Sequence, residues 1–120
     1  MKIVITAQGQ DVSSPLDPRF GRAKWLVAVD TETGGFEVHD NTVNLNASSG
    51  AGIQTAQNVA RLGAQAVITG NIGPNAVKTL DAANVAVFLS KASTVQEAVD
   101  AFKAGELSET RQANVEGHWV

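Results

Sequence analysis

Apolar and polar positions along the chain change period partway through. Residues 2–7 (Lys-Ile-Val-Ile-Thr-Ala) are a short β-branched apolar run ending in Gln-Gly, which predicts a strand. Residues 8–22 are polar and punctuated by Pro15, Pro18 and Gly21, the signature of a loop. Residues 25–29 (Trp-Leu-Val-Ala-Val) are near-continuously apolar and predict a second strand. Turn chemistry follows in Asp30-Thr-Glu-Thr-Gly-Gly35, and Phe36-Glu-Val-His-Asp40 then alternates as a strand with one wet face does. These three strands read as an antiparallel meander.

Beyond residue 44 the period lengthens. A small, polar stretch over 44–52 leads into a helix with Ile53, Ala56, Val59, Ala60 and Gly63 at three-and-four spacing. Residues 65–69 predict a strand, and Gly70-Asn-Ile-Gly73 a turn. Pro74 suits the first turn of a second helix whose apolar face is Ala76, Val77, Leu80 and Ala83. Residues 85–89 give another strand. Ser93 or Thr94 caps a last helix, with Glu97 at the capping-box offset from Thr94 and Val95, Ala98, Val99 and Phe102 as its core stripe. The order β-β-β-α-β-α-β-α predicts an α/β fold: a mixed five-stranded sheet flanked by helices, with right-handed parallel β-α-β passages. Residues 1–105 form a single domain. Residues 106–120 lack periodicity and read as a C-terminal tail, partly ordered at best.

Composition narrows the chemistry. The 120 residues are 43% apolar and 18% charged, enough to bury a core. Cysteine is absent, which excludes disulfides, thiolate zinc sites and iron–sulfur clusters held by the chain's own sulfur. A soft metal would have to arrive with its own sulfur or use nitrogen and oxygen. The apolar run at the N-terminus is too short for a signal peptide or a membrane span, so the cytoplasm is the expected compartment. The net charge of −3 resides entirely in residues 97–120, and no basic stripe marks a nucleic-acid surface.

In an open α/β sheet, ligands gather where the parallel strands end and helices begin. Two glycine-rich segments fall there: Ser48-Ser49-Gly50-Ala51-Gly52 before the first helix, and Gly70-Asn71-Ile72-Gly73-Pro74-Asn75 entering the second. Both offer backbone amides at a helix N-terminus, where negative charge is favoured; the alternative is that the glycines only make tight turns. The loop Asp17-Pro-Arg-Phe-Gly-Arg22 adds Arg19 and Arg22 around Phe20 and Gly21, candidate cations for the same edge or simply solvated surface residues. Phe20, Ile53 and Ile72 are candidate apolar walls. His39 is a candidate nitrogen donor to a ligand or a plain surface histidine, and His118 lies in the tail. No nucleoside-triphosphate P-loop or nucleophile elbow is present, Gly50 and Gly52 make only a weak dinucleotide fingerprint because Thr55 stands at its third glycine position, and the first strand carries no carboxylate for two-metal nuclease chemistry. The chain reads as a binding protein, not an enzyme.

Three motifs together, Asp17-Pro-Arg-Phe-Gly-Arg22, Gly50-Ala-Gly-Ile-Gln-Thr-Ala-Gln57 and Val67-Ile-Thr-Gly-Asn-Ile-Gly-Pro-Asn-Ala76, resemble the nitrogenase iron–molybdenum cofactor biosynthesis family. The likeness runs from Met1 to about Gly117 and includes Asn114-Val-Glu-Gly117. It implies a ribonuclease-H-like fold without nuclease activity, used to bind, store or carry molybdenum-containing cofactors or their precursors. Lacking cysteine, the chain resembles the orange-protein branch, whose members hold a molybdenum–copper sulfide cluster non-covalently. The resemblance also implies a ParA/MinD-type ATPase as a possible protein partner. A rival reading is a regulatory or interaction module that binds a phosphorylated metabolite or a partner ATPase through the same anion-seeking edge.

Overall fold

In the computed structural model, which describes residues 1–43 and 50–116, the chain folds into one mixed sheet with helices on both faces. The strands are β1 (Lys2–Ala7), β2 (Trp25–Asp30), β3 (Phe36–Asp40), β4 (Ala66–Thr69), β5 (Ala86–Leu89) and β6 (Glu109–Thr110), in the order β3-β2-β1-β4-β5-β6. β1, β4 and β5 are parallel neighbours, while β2 runs antiparallel to both β1 and β3, and β6 runs antiparallel to β5. The helices are α1 (Ala51–Arg61), α2 (Pro74–Ala82) and α3 (Val95–Lys103). The five-stranded expectation is therefore corrected to six. The extra strand is only two residues long and pairs through backbone groups, so it leaves no hydrophobic period to read.

Side chains of β1 alternate between two cores, as the two-residue period of a strand requires. Val4 joins Leu26, Val67 and Val87 against Ala56 and Val59 of α1 and Ala76, Val77 and Leu80 of α2. Ile3 and Ile5 join Val27 and Ile68 against Val95, Ala98 and Val99 of α3. The near-continuous apolar composition of β1, β2 and β4 is explained by burial on both faces.

Asp30 holds the β2–β3 turn. Its carboxylate accepts the amides of Glu32 (2.8 Å) and Thr33 (3.3 Å), and these bonds, Glu32 first, hold its pKa below the ordinary aspartate range.

The long loop after β1 is not idle connection. The amides of Val95 and Gln96, at the start of α3, donate to the carbonyls of Ser14 and Val12, and the Leu16 amide donates to the carbonyl of Ser93. Thr94 is the N-cap, its hydroxyl accepting the Glu97 amide at 3.1 Å. Thr94→Ala is expected to cost about 1 kcal/mol, the usual worth of such a cap, measured as a lower urea midpoint at unchanged slope. A midpoint equal to wild type would mean that the loop carbonyls alone hold this helix start.

Candidate functional site

The carboxyl ends of β1, β4 and β5 lie on one edge of the sheet, and the residue 17–22 loop is sewn across it. The Thr6 hydroxyl, at the end of β1, donates to the Asp17 carbonyl at 2.7 Å and lies 2.9 Å from the Thr69 hydroxyl at the end of β4. The Asp17 carboxylate turns back to accept the Arg19 amide at 2.9 Å. The Asn71 amide donates to the Pro18 carbonyl at 2.7 Å, and the Phe20 amide donates to the Asn71 carbonyl at 3.1 Å. Arg19 and Asn71 are thus paired as in a parallel ladder.

Two glycines permit this approach. A Cβ on Gly70 would sit 2.9 Å from both Cα and Cβ of Pro18; one on Gly21 would sit 3.0 Å from the Gly52 nitrogen and 3.2 Å from its Cα, at the start of α1. The loop therefore touches both glycine-rich segments at backbone distance. Phe20–Arg22 form a single 3₁₀ turn there, with Phe20 and Gly21 buried and Arg22 exposed.

The remaining candidate residues divide into several groups. Arg19 and Arg22 are exposed beside the stitched backbone, and Arg22 makes no ion pair among the described residues. Gly50 and Gly73 are the N-caps of α1 and α2, and among the described residues neither helix start carries a side-chain cap. Ala51 is buried, Gly52 and Ile53 are half-buried in the first turn of α1, and Asn75 is exposed in the first turn of α2. Ser49 lies outside the described residues, as does His118.

Phe20 and Ile72 are corrected. Both are fully buried in the core beneath α1 and α2, so they support the site from below and present no wall to a ligand. His39 is separated from the Gly70–Gly73 turn: it stands on β3, opposite Leu26, with β2 and β1 between it and β4, and its Nε2 lies 3.3 Å from a Glu37 carboxylate oxygen.

The Gly70–Gly73 turn spends much of its own hydrogen-bonding capacity. Besides the Asn71 amide given to Pro18, the Ile72 amide donates to the Asn114 side-chain oxygen at 2.8 Å. The Asn114 side-chain amide donates to the Gly70 carbonyl (3.2 Å) and to the Asn71 side-chain oxygen (3.0 Å), and its backbone amide donates to the Ile72 carbonyl (3.1 Å). The expectation that Asn71 and Ile72 offer amides to an anion is corrected accordingly. The first turn of α2, uncapped by any side chain, is what this segment presents.

A second polar centre fixes α1. Asn41, 5% exposed, donates through its side chain to the Ala23 carbonyl (2.7 Å) and the Thr55 hydroxyl (2.9 Å), and accepts from Asn58 (2.8 Å). It joins the segment after the 3₁₀ turn, the end of β3 and the middle of α1.

Beside the stitch, on the β5 side, opens a cleft of about 670 Å³. Leu16, Pro18 and Leu89 give it apolar surface, and Lys91, Ser93 and Asn114 give it polar surface; neither Arg19 nor Arg22 lines it. Sequence reasoning missed Lys91, Ser93 and Asn114. The available signal was that residues 90–94 also follow a parallel strand into a helix, and that Asn114 begins the last of the matched motifs. Among the described residues no three of His, Cys, Asp and Glu gather as metal ligands. The edge instead offers ammonium, guanidinium and N–H donors, which suit an anion held by charge and hydrogen bonds. Among the described residues no helix is long and apolar enough to cross a membrane.

Comparison with known proteins places this geometry among relatives. The family model for dinitrogenase iron-molybdenum cofactor matches residues 1–105. The orange protein (ORP) from Desulfovibrio gigas, solved in its apo form, is 38% identical and superposes with a TM-score of 0.89, covering 95% of this chain and 96% of that one. The Thermotoga protein TM1290 is also 38% identical, with a TM-score of 0.82 over 97% of this chain and 98% of its own. An uncharacterized Methanocaldococcus jannaschii protein, MJ0580, is 30% identical over 95 residues, 77% of this chain and 80% of that protein.

Proposed function

The chain belongs to the dinitrogenase iron–molybdenum cofactor family, and from that membership we propose that it is a non-catalytic carrier. Its cargo is an anionic molybdenum-containing metal–sulfur cluster of the molybdenum–copper sulfide type, bound or stored without a covalent tether. One observation carries the reading: the loop bearing Arg19 and Arg22 is bonded to the Gly70–Gly73 turn and packed on the start of α1. Two cationic side chains and two helix starts whose N-cap residues are glycines therefore share one edge of the sheet.

The residues fit such a cargo. With no cysteine in the chain, a metal–sulfur cluster must supply its own sulfide ligands, and the protein's part is to surround them with positive charge and N–H donors. Similarity to the orange protein supports the molybdenum–copper type. The strand order β3-β2-β1-β4-β5, with β2 alone reversed among these five, supports the ribonuclease-H-like reading of the fold. A ParA/MinD-type ATPase is the proposed protein partner, and the cytoplasm the proposed compartment.

The test is reconstitution. Apo-protein mixed with tetrathiomolybdate and a copper(I) salt, then desalted, is expected to elute with molybdenum, copper and visible absorbance. Arg19→Ala combined with Arg22→Ala should lower retention by about tenfold or more, because each shielded charge-assisted contact contributes about 1.5–3 kcal/mol. Protein eluting free of both metals would overturn the reading. Stabilisation by sugar phosphates but not by thiomolybdate would favour the metabolite-binding alternative.

A further inference from the structure

We infer that the cleft between the 89–93 loop and the Pro18–Asn71 stitch is the second wall of the cargo site, with Lys91 as its positioning cation. The inference rests on the reading of the cargo as a sulfide-faced metallate anion and extends it to residues on the other side of the loop. Pro18 lies between the two halves: it lines the cleft, and Arg19 is the next residue along the chain. An anion lying against the stitch can meet the arginines on one side and Lys91 on the other.

Size, charge and softness argue for this occupant. At about 670 Å³ the cleft falls within the range of roughly 300–1,000 Å³ typical of small-molecule sites. Lys91 is its one charged lining residue among those described, so no carboxylate there opposes an anion. The amide groups of Asn71 and Asn114 are engaged with each other, with Pro18 and with the Gly70–Ile72 turn. The charged donor into the cleft is the Lys91 ammonium, with serine hydroxyls beside it, set over Leu16, Pro18 and Leu89.

A phosphate ester needs several convergent donors to replace its hydration and gains nothing from apolar walls. A thiometallate spreads its charge over polarizable sulfides, sheds water at less cost, and makes dispersion contacts with aliphatic carbon. Its metal is already fully ligated, which matches a cleft with no imidazole, carboxylate or thiolate among its described lining residues. One cation on an apolar floor selects the softer anion.

Equilibrium dialysis with tetrathiomolybdate alone separates this inference from the reading beneath it. Against wild type, Lys91→Ala should bind about tenfold more weakly at low ionic strength, and Lys91→Glu more weakly still, with the gap narrowing as salt is added. Ser93→Trp, which fills the cleft with an indole, should bind at least tenfold more weakly. Lys78→Ala, an equal charge change on the exposed side of α2, should stay within about twofold of wild type. Lys91 is exposed, so its variants are expected to fold, and Lys91→Glu decides the matter if Ser93→Trp lowers the melting temperature.

If the Lys91 variants bind as wild type does while the Arg19/Arg22 double variant loses the anion, the second wall is wrong and the carrier reading stands. If wild type binds no thiomolybdate here yet elutes with molybdenum and copper in the reconstitution, this inference falls and the carrier reading stands; if it fails in both, both fall. Displacement by inorganic phosphate at concentrations comparable to thiomolybdate would overturn the choice of a soft anion.

Discussion

Gly70→Ala should lower the melting temperature by roughly 4–12 °C and loosen cargo retention with it. The glycine is not there for an unusual backbone angle, since its φ is not among the positive ones. The obstacle is spatial. An added methyl would stand 2.9 Å from Cα and Cβ of Pro18 and 3.1 Å from the Pro18 carbonyl oxygen, which is closer than carbon atoms pack. Two of these neighbours are backbone atoms, so no side-chain rotation relieves the clash.

The strain must then be taken up by separating the 17–22 loop from the Gly70–Gly73 turn. That lengthens the Asn71–Pro18 and Phe20–Asn71 bonds that hold the edge together. Overpacking of this kind costs about 1–3 kcal/mol, and a domain of this size loses roughly 4 °C per kcal/mol. Urea melts should show a lower midpoint at unchanged slope. Gly21→Ala should act in the same direction but more gently, its nearest atoms lying at 3.0 Å and beyond. A Gly70→Ala protein that melts with wild type would mean the stitch is slack, and the shared edge would lose its structural basis.

Much of this edge was legible in the sequence, because glycine, proline and helix-start chemistry act locally. The five longer strands and three helices follow from apolar period alone, and Thr94 announced its cap through Glu97 three residues on. The convergence of the 17–22 loop with both glycine segments followed from topology, since parallel strands send their loops to one edge.

What remained hidden depends on contacts distant in sequence. An apolar residue flanked by glycine gives no sign of which way it faces, and Phe20 and Ile72 proved to be core. The amides of the Gly70–Gly73 turn looked available because their partner, Asn114, lies about forty residues away in a segment without hydrophobic period. Lys91 was one cation among several until β5 placed it beside the stitch. His39 lay on the right kind of strand but with two strands between it and β4 with its Gly70–Gly73 turn.

Asn41→Leu is the substitution expected to damage the molecule most for its size, since leucine keeps nearly the same volume and removes only the amide. Asn41 is almost fully enclosed, and both side-chain amide hydrogens are used, one on the Ala23 carbonyl and one on the Thr55 hydroxyl. Its oxygen accepts from Asn58. Leucine would leave these groups short of partners in a region where Ala23 and Thr55 have almost no contact with water.

Each stranded buried group costs about 1–3 kcal/mol, and partial rearrangement brings the expected total to about 3 kcal/mol. Asn41→Asp separates hydrogen bonding from volume: a carboxylate can still accept from Asn58 but can donate to neither the carbonyl nor the hydroxyl, so it should be no better than leucine. Thr55→Val removes a single bond and should cost about 1 kcal/mol; in a double-mutant cycle its effect should largely vanish once Asn41 is already leucine. Because this network fixes α1 against the segment that follows the 3₁₀ turn, the first turn of α1 should shift and thiomolybdate retention should fall in step with stability. Wild-type stability in Asn41→Leu would show that hydrophobic packing alone positions α1, and that the uncapped helix start is held to the edge by Ala56 and Val59 rather than by a buried amide.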